Sequence, residues 1–300
     1  MKVFKTVAEL RAEISAAKQQ NKTIGLVPTM GALHEGHLSL IHKAKEQNDL
    51  VVVSVFVNPI QFNNKEDLEK YPRKVEDDCA LLESNGADVA FVPSVDEMYP
   101  EPVNDVYDFG PVAEVMEGPQ RPGHFNGVAI VVRRLFDLVE PNRAYFGEKD
   151  FQQIAIIRRL LEIMRSETCH PNIEMYRNLE LVPCPIVRAE DGLALSSRNA
   201  RLSKGARNVA PNIYATLQQA VEMSECEDVE DVKQWVMDTL ESFHEVNDIP
   251  EELRFEPEYF EIVDDTTLQP ISHWEDAKGV VGCITVWLTG VRLIDMIRFR

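Results

Sequence analysis

Residues 24–38 read IGLVPTMGALHEGHL, and the reading of this stretch decides the fold. Ile24-Gly25-Leu26-Val27 is an apolar run of the kind that makes a buried strand. Leu38, Leu40, Ile41 and Ala44 then fit the apolar face of a helix beginning near Glu35. Glycines at 31 and 36 let the chain turn between the two, and His34 and His37 stand at the mouth of the helix. A helix N-terminus presents free N–H groups and a partial positive charge, which together favour an anion. Two imidazoles three residues apart share a helical face and can reach the same anion. The stretch predicts a strand–loop–helix unit built for chemistry at a phosphate. It is not the zinc-protease pattern, which needs histidines at i and i+4 with a glutamate beside the first.

The alternation extends on both sides. Thr6 and Glu9 form a capping-box signature for a helix over 6–20, entered directly from Met1–Lys5. Leu50 to Val57 (LVVVSVFV) is an unbroken apolar run that fits a parallel strand covered on both faces. A charged helical stretch over 65–85 precedes a strand over 88–92. Helices over 128–138 and 151–165 enclose a short strand at 144–146, and 179–187 returns to extended structure. After about residue 188 the pattern changes to a long helical region, roughly 205–245, then strands over 256–263, 279–288 and 291–299. The expectation is an α/β fold in two parts: a Rossmann-like doubly wound parallel sheet over 1–188 and a smaller α+β lid domain over 189–300.

The chain has 300 residues, 44% hydrophobic and 27% charged, which suits a globular protein with a sizeable core. Its formal net charge of −19 argues against nucleic acid or an anionic membrane as partner, since both need a basic face. A polyanionic substrate must then be held by local cations and amides. Five widely spaced cysteines with no CxxC read as reduced thiols. With no signal-peptide or membrane-spanning pattern, the expected location is the cytoplasm.

Four further segments carry chemistry. Asn58-Pro59-Ile60-Gln61-Phe62 closes the LVVVSVFV strand, at the strand end where α/β sheets bind ligands. Arg121-Pro122-Gly123-His124-Phe125-Asn126-Gly127 is a turn dense in glycine and titratable groups. Gly147-Glu148-Lys149-Asp150, with Gln153 one turn on, joins a strand to a helix and puts an ammonium at a natural phosphate position. Leu195-Ser196-Ser197-Arg198 offers hydroxyls, amides and a guanidinium fork, without the GxSxG surroundings of a nucleophilic serine. There is no P-loop lysine pattern and no GxGxxG. The residues by themselves indicate nucleotidyl transfer or adenylation.

These segments, PTMGALHEGH (28–37), FVNPIQF (56–62), RPGHFNGV (121–128), FGEKDFQQ (146–153) and DGLALSSRN (191–199), resemble in order those of the pantoate–β-alanine ligases. That family lies within the HxGH nucleotidyltransferases. The resemblance covers essentially the whole chain. It implies condensation of (R)-pantoate with β-alanine, driven by ATP with Mg²⁺ and passing through a pantoyl adenylate. It implies that Met30, Gly31, Ala32, Leu33, His34, Glu35, Gly36 and His37 line the ATP site, with His34 and His37 on the phosphates and His37 at the proton-donor position. Gly147, Glu148, Lys149, Asp150, Val187, Leu195, Ser196, Ser197 and Arg198 match further ATP contacts, and Lys149 and Arg198 join the histidines as catalytic candidates. Gln61, Gln153, Asn58 and Met30 match the pantoate pocket, with Gln61 also near β-alanine. Asp77 and Asp78 are the candidates for a metal contact. A homodimer is implied. The interval from Asp150 to Leu195 looks longer than is usual in the family, which predicts a surface insertion over Ser166–Asn178. Two alternatives stay open: another HxGH nucleotidyltransferase that stops at the adenylate or a dinucleotide, and a non-catalytic adenine-nucleotide sensor.

Overall fold

The computed structural model describes residues 1–300. The first elements are β1 (Lys2–Phe4), α1 (Val7–Gln19), β2 (Ile24–Thr29), α2 (Glu35–Gln47), β3 (Leu50–Val55), α3 (Lys65–Lys70), α4 (Val75–Ser84) and β4 (Val89–Phe91). There follow α5 (Val95–Met98), α6 (Glu117–Gln120), α7 (His124–Val139), β5 (Arg143–Gly147), α8 (Phe151–Ser166), α9 (Ile173–Asn178) and β6 (Glu180–Cys184). The last are α10 (Lys204–Val209), α11 (Asn212–Met223), α12 (Val229–Val246), β7 (Phe255–Asp264), β8 (Val280–Leu288) and β9 (Val291–Arg298). They fall into two compact units. Unit 1 comprises Met1–Phe109, Arg121–Gly147 and Gln153–Pro185; unit 2 comprises Gly110–Gln120, Glu148–Gln152 and Ile186–Arg300.

Unit 1 is a six-stranded parallel sheet in the order β1-β4-β3-β2-β5-β6. All six residues of β3 are buried, the outcome expected of a strand covered on both faces. From β2 the chain winds outward to β3 and β4, then returns to place β5 on the other side of β2. The strand order therefore reverses between β2 and β5, and the crevice outside their carboxyl ends is the position where such sheets bind ligands.

Unit 2 holds an antiparallel meander, β7-β8-β9, under α11 and α12. Its core joins Leu217, Val236 and Leu240 to Phe260, Ile284 and Val286. A buried charge network crosses this unit. Arg292 donates twice to Glu117, at 2.7 Å to each oxygen, and its Nε donates to Glu258 at 2.7 Å. Tyr259 and Thr285 add hydroxyl donors to Glu117 at 2.7 and 3.1 Å. Burial works against the Arg292 charge, but the carboxylates outweigh it and leave its pKa raised.

The structure departs from the periodicity at three places. Lys2–Phe4 form a parallel edge strand against β4, a pairing set by residues 87 positions away that three residues cannot announce. The helix expected over 65–85 breaks into α3 and α4, because Pro72 forces Tyr71 into an extended conformation. Segment 166–178 ends in α9 and sends Tyr176 into the core, fully buried, with its hydroxyl donating to Asp137 at 2.9 Å. No helix is long and apolar enough to cross a membrane.

Candidate active site

The loop after β2 is built by a few short contacts. Thr29 Oγ1 donates to the Ser54 carbonyl at 2.6 Å and accepts from Gly31 N–H at 3.2 Å, which bends the chain off the strand. Gly31 has φ +82°, and a Cβ there would lie 2.9 Å from an Asp78 oxygen and 3.2 Å from Val55, so only glycine fits. The next two amides, of Ala32 and Leu33, donate to the two oxygens of Asp78 at 2.9 and 2.7 Å. Asp78 is 2% exposed. This carboxylate, a metal candidate in the sequence, here grips the loop.

His34 is the N-cap of α2. Its Nδ1 accepts from Gly36 N–H at 3.1 Å, so the neutral ring carries its proton on Nε2. The rings of His34 and His37 have centroids 4.1 Å apart at 42°. The two imidazoles thus stand side by side at the positive end of a 13-residue helix.

On the neighbouring strand, β3 leads to a tight turn over Pro59–Gln61. Asn58 is 1% exposed and uses its whole amide. It donates to Gln61 Oε1 at 3.2 Å and to the Gly127 carbonyl at 3.0 Å, and accepts from Ile60 N–H at 3.3 Å and the Tyr99 hydroxyl at 2.9 Å. Gln61 Oε1 is thereby fixed as an acceptor, and Nε2 points its donors at Met30 Sδ, 2.9 Å away. Met30 and Asn58, two residues of the expected pantoate pocket, are thus joined through a third, Gln61.

The Arg121–Gly127 turn supports this arrangement from below. His124 Nδ1 lies 2.8 Å from the Gln61 carbonyl and its Nε2 lies 3.0 Å from the Arg121 guanidinium. A carbonyl only accepts and a guanidinium only donates, so the proton sits on Nδ1. A Cβ on Gly127 would lie 2.6 Å from Gln61 Cα, so this glycine lets α7 press against the turn. Burial pushes the Tyr99 phenol up and keeps it a neutral donor to Asn58. Neither Tyr99 nor the supporting task of Asp78 carried a local sequence signal. Gln153, the third residue of α8, is half-buried in unit 1, where Gly147 ends β5. Asp77 is exposed in the first turn of α4.

The other candidates lie in unit 2. Glu148–Asp150 make a single 3-10 turn, in which the Lys149 ammonium lies 3.2 Å from Asp150 with its side chain 17% exposed. Val187 and Leu195 face each other at the base of a hairpin, closed by Leu195 N–H to the Val187 carbonyl at 3.0 Å and Ala189 N–H to the Leu193 carbonyl at 2.9 Å. Ser196 caps the next turn, accepting from Arg198 N–H at 3.3 Å, and Ser197 and Arg198 are half-buried within it. No group of three or more His, Cys, Asp or Glu residues could hold a metal ion.

The comparisons with known proteins agree. A family profile described as pantoate-beta-alanine ligase matches residues 2–298. The pantothenate synthetase of Porphyromonas gingivalis is 51% identical over 300 residues, the whole of both chains. That of Bacteroides thetaiotaomicron is 52% identical over 100% of this chain and 99% of its own. The crystal structure of pantothenate synthetase from Thermus thermophilus superposes with TM-score 0.86 at 42% identity, covering 100% of this chain and 99% of the other. The pantoate-beta-alanine ligase of Francisella tularensis, complexed with beta-gamma ATP and β-alanine, gives 0.78 at 32% identity over 100% and 98%. A match at this level along the entire chain, over a fold that puts three of the motifs at the ends of β2, β3 and β5, means that the chain belongs to the pantoate–β-alanine ligase family, amide-forming ligases of pantothenate synthesis.

Proposed function

We propose that the amide forms through a pantoyl adenylate. The pantoate carboxylate attacks the α-phosphorus of ATP and displaces pyrophosphate. The β-alanine amine then attacks the activated carbonyl, and AMP leaves with the oxygen it received. A free carboxylate resists amines, whereas the mixed anhydride has a good leaving group. Alignment and charge stabilisation carry the rate.

One observation supports this reading above the others: the contact between Met30 and Gln61. The loop that carries the phosphate-directed imidazoles and the amide directed at the acid stand on adjacent strands, with Thr29 of β2 opposite Val55 of β3. In this reading Gln61 and Gln153 donate to pantoate oxygens, Met30 packs against its body, and Gln61 also meets β-alanine. Asn58 has no spare hydrogen-bonding capacity, so it acts by aiming Gln61. The imidazoles of His34 and His37 at the positive end of α2 hold the triphosphate, with Gly31, Ala32, Leu33 and Gly36 shaping the loop, their amides engaged by Thr29, Asp78 and His34, and Glu35 opening α2. His37 stabilises charge on the phosphorus and on the departing pyrophosphate. Lys149 and Arg198 bind phosphate oxygens, while Gly147, Glu148, Asp150, Val187, Leu195, Ser196 and Ser197 complete the nucleotide contacts.

Magnesium enters as part of the nucleotide substrate. Asp78 has both oxygens on backbone amides and fits poorly as a ligand. An ion carried by phosphate oxygens with few protein ligands suits Mg²⁺. We further place the reaction in the cytoplasm, in keeping with five free thiols, and take the active species as a homodimer, which sedimentation of the purified chain tests. The adenylate route predicts pantoate-dependent exchange of labelled pyrophosphate into ATP without β-alanine. Exchange that ignores pantoate, or no exchange at all, overturns it.

A further inference from the structure

β9 makes two contacts that the reaction scheme leaves unexplained. Its Asp295 is 5% exposed and takes a two-pronged ion pair from Arg188, Nη1 to Oδ2 at 2.6 Å and Nη2 to Oδ1 at 2.9 Å. The same guanidinium donates to the Gly192 carbonyl at 3.2 Å and the Met296 carbonyl at 3.3 Å, and lies 3.5 Å from the centre of the Tyr214 ring. Arg188 starts the hairpin that carries Val187 and Leu195, and Gly192 is its tip, so one side chain ties both ends of that hairpin to β9. Burial pushes the Asp295 pKa up, opposed first by the Arg188 guanidinium, then by the Met296 N–H and last by the Lys149 charge. Further along β9, Arg298 pairs with Glu148 at 2.7 Å, in the turn that carries Lys149.

We propose that β9 is the platform on which unit 2 positions its nucleotide-binding segments, with Asp295 and Arg188 as positioning residues that set the 187–198 loop beside the Lys149 turn. This rests on the reading that both segments serve ATP. Two segments far apart in sequence need a common reference, and a planar fork hydrogen-bonded along its edges and stacked on an aromatic ring is a stiff one. Stability does not demand the pair, since apolar residues of similar volume replace a buried ion pair at little or no cost. What the pair adds is direction.

The test separates direction from stability. Asp295→Asn, Arg188→Lys and the double variant Arg188→Met/Asp295→Leu are compared with the unaltered enzyme by thermal melting, calorimetric titration with MgATP, and KM for ATP and for pantoate. The single variants weaken ATP binding about 10- to 100-fold, the penalty of a small misplacement. The double variant melts at or above the unaltered enzyme yet keeps the ATP defect. KM for pantoate stays within about twofold in all three, because Met30, Asn58 and Gln61 share no hydrogen-bond partner with Arg188 or Asp295 and such sites act independently. A double variant that regains both stability and ATP affinity overturns the proposal, as do single variants that bind ATP normally. Failure of the unaltered enzyme to bind MgATP overturns the functional reading itself, and this assignment with it.

Discussion

In unit 1 the loop bearing His34 and His37 is held by hydrogen bonds that its backbone amides donate to Asp78 and Thr29, at the end of a central strand. In unit 2 the turn bearing Lys149 and the hairpin leading to Arg198 are held by side-chain ion pairs, Glu148 with Arg298 and Arg188 with Asp295. The first arrangement is local except for Asp78: strand, glycine, capping histidine and the start of the helix follow one another within fifteen residues, and Asp78 comes from 46 positions beyond Ala32. The second joins residues 107 and 150 positions apart. Backbone amides in a short loop between a sheet strand and a helix cannot drift far from their places. A guanidinium at the end of a long side chain holds its place only while its carboxylate holds too.

The largest effect tests whether both arrangements serve the same step. His37→Ala in unit 1 and Lys149→Ala in unit 2 should each slow adenylation by about 10²- to 10⁴-fold, the range for losing one charge-stabilising or proton-bearing group. Melting temperatures should be unchanged, since neither side chain supports the core. Single-turnover formation of AMP at saturating ATP and pantoate measures this. A near-normal rate in either variant breaks the comparison by removing that unit from the chemistry.

The same contrast explains what could be read without a structure. The β2–α2 unit was legible from 24–38 because its signals, apolar runs, glycines and a capping position, are all local. So was the α1 capping box, in which Thr6 and Glu9 cap each other as their spacing indicates. Gln61 stood out by its place at a strand end, and its proposed role came from the family resemblance. Asn58 stands beside it, yet its bonds to Gly127 and Tyr99 come from elements far along the chain. Asp78 looked like a metal candidate because an acidic pair on a helix does not reveal which amides will face it. Asp295 sits in an apolar strand where alternation gives no reason for a buried charge.

Stability supplies the second test, again with one residue from each unit. Glu117→Ala in unit 2 leaves Arg292 buried with only Glu258, and removing one partner of such a pair costs about 3–5 kcal/mol. Replacing Arg292 by Met in the same chain should restore most of that. Asp78→Ala in unit 1 removes two charge-assisted bonds to amides, for a loss of about 2–3 kcal/mol. No second substitution can restore it, because the orphaned donors are backbone. Urea unfolding of the unaltered chain and these three variants measures both. Rescue at Asp78 by an apolar neighbour, or none at Glu117, would reverse the assignment of ion pairs to one unit and amides to the other.

The smallest effect concerns two exposed carboxylates that titrate low for different reasons. In unit 1, the Thr6 hydroxyl, then the Thr6 and Lys5 amides, hold Glu9 below its usual range. In unit 2, hydrogen bonding to the Arg207 guanidinium holds Asp191 low. A carboxyl whose folded pKa is depressed adds stability that is complete above its unfolded pKa, about 3.9 for Asp and about 4.3 for Glu, and is lost as pH falls through the lower folded value. Glu9→Gln and Asp191→Asn should therefore reduce the melting temperature slightly at pH 6, and each deficit should vanish on acidification. Salt divides them. Near 1 M the screening length falls to about 3 Å, which weakens the exposed Asp191–Arg207 pair. The donors to Glu9 are neutral, so its deficit at pH 6 should survive the same salt. An equal response at the two positions would mean that neutral donors and a guanidinium hold these carboxylates in the same way, which their partners argue against.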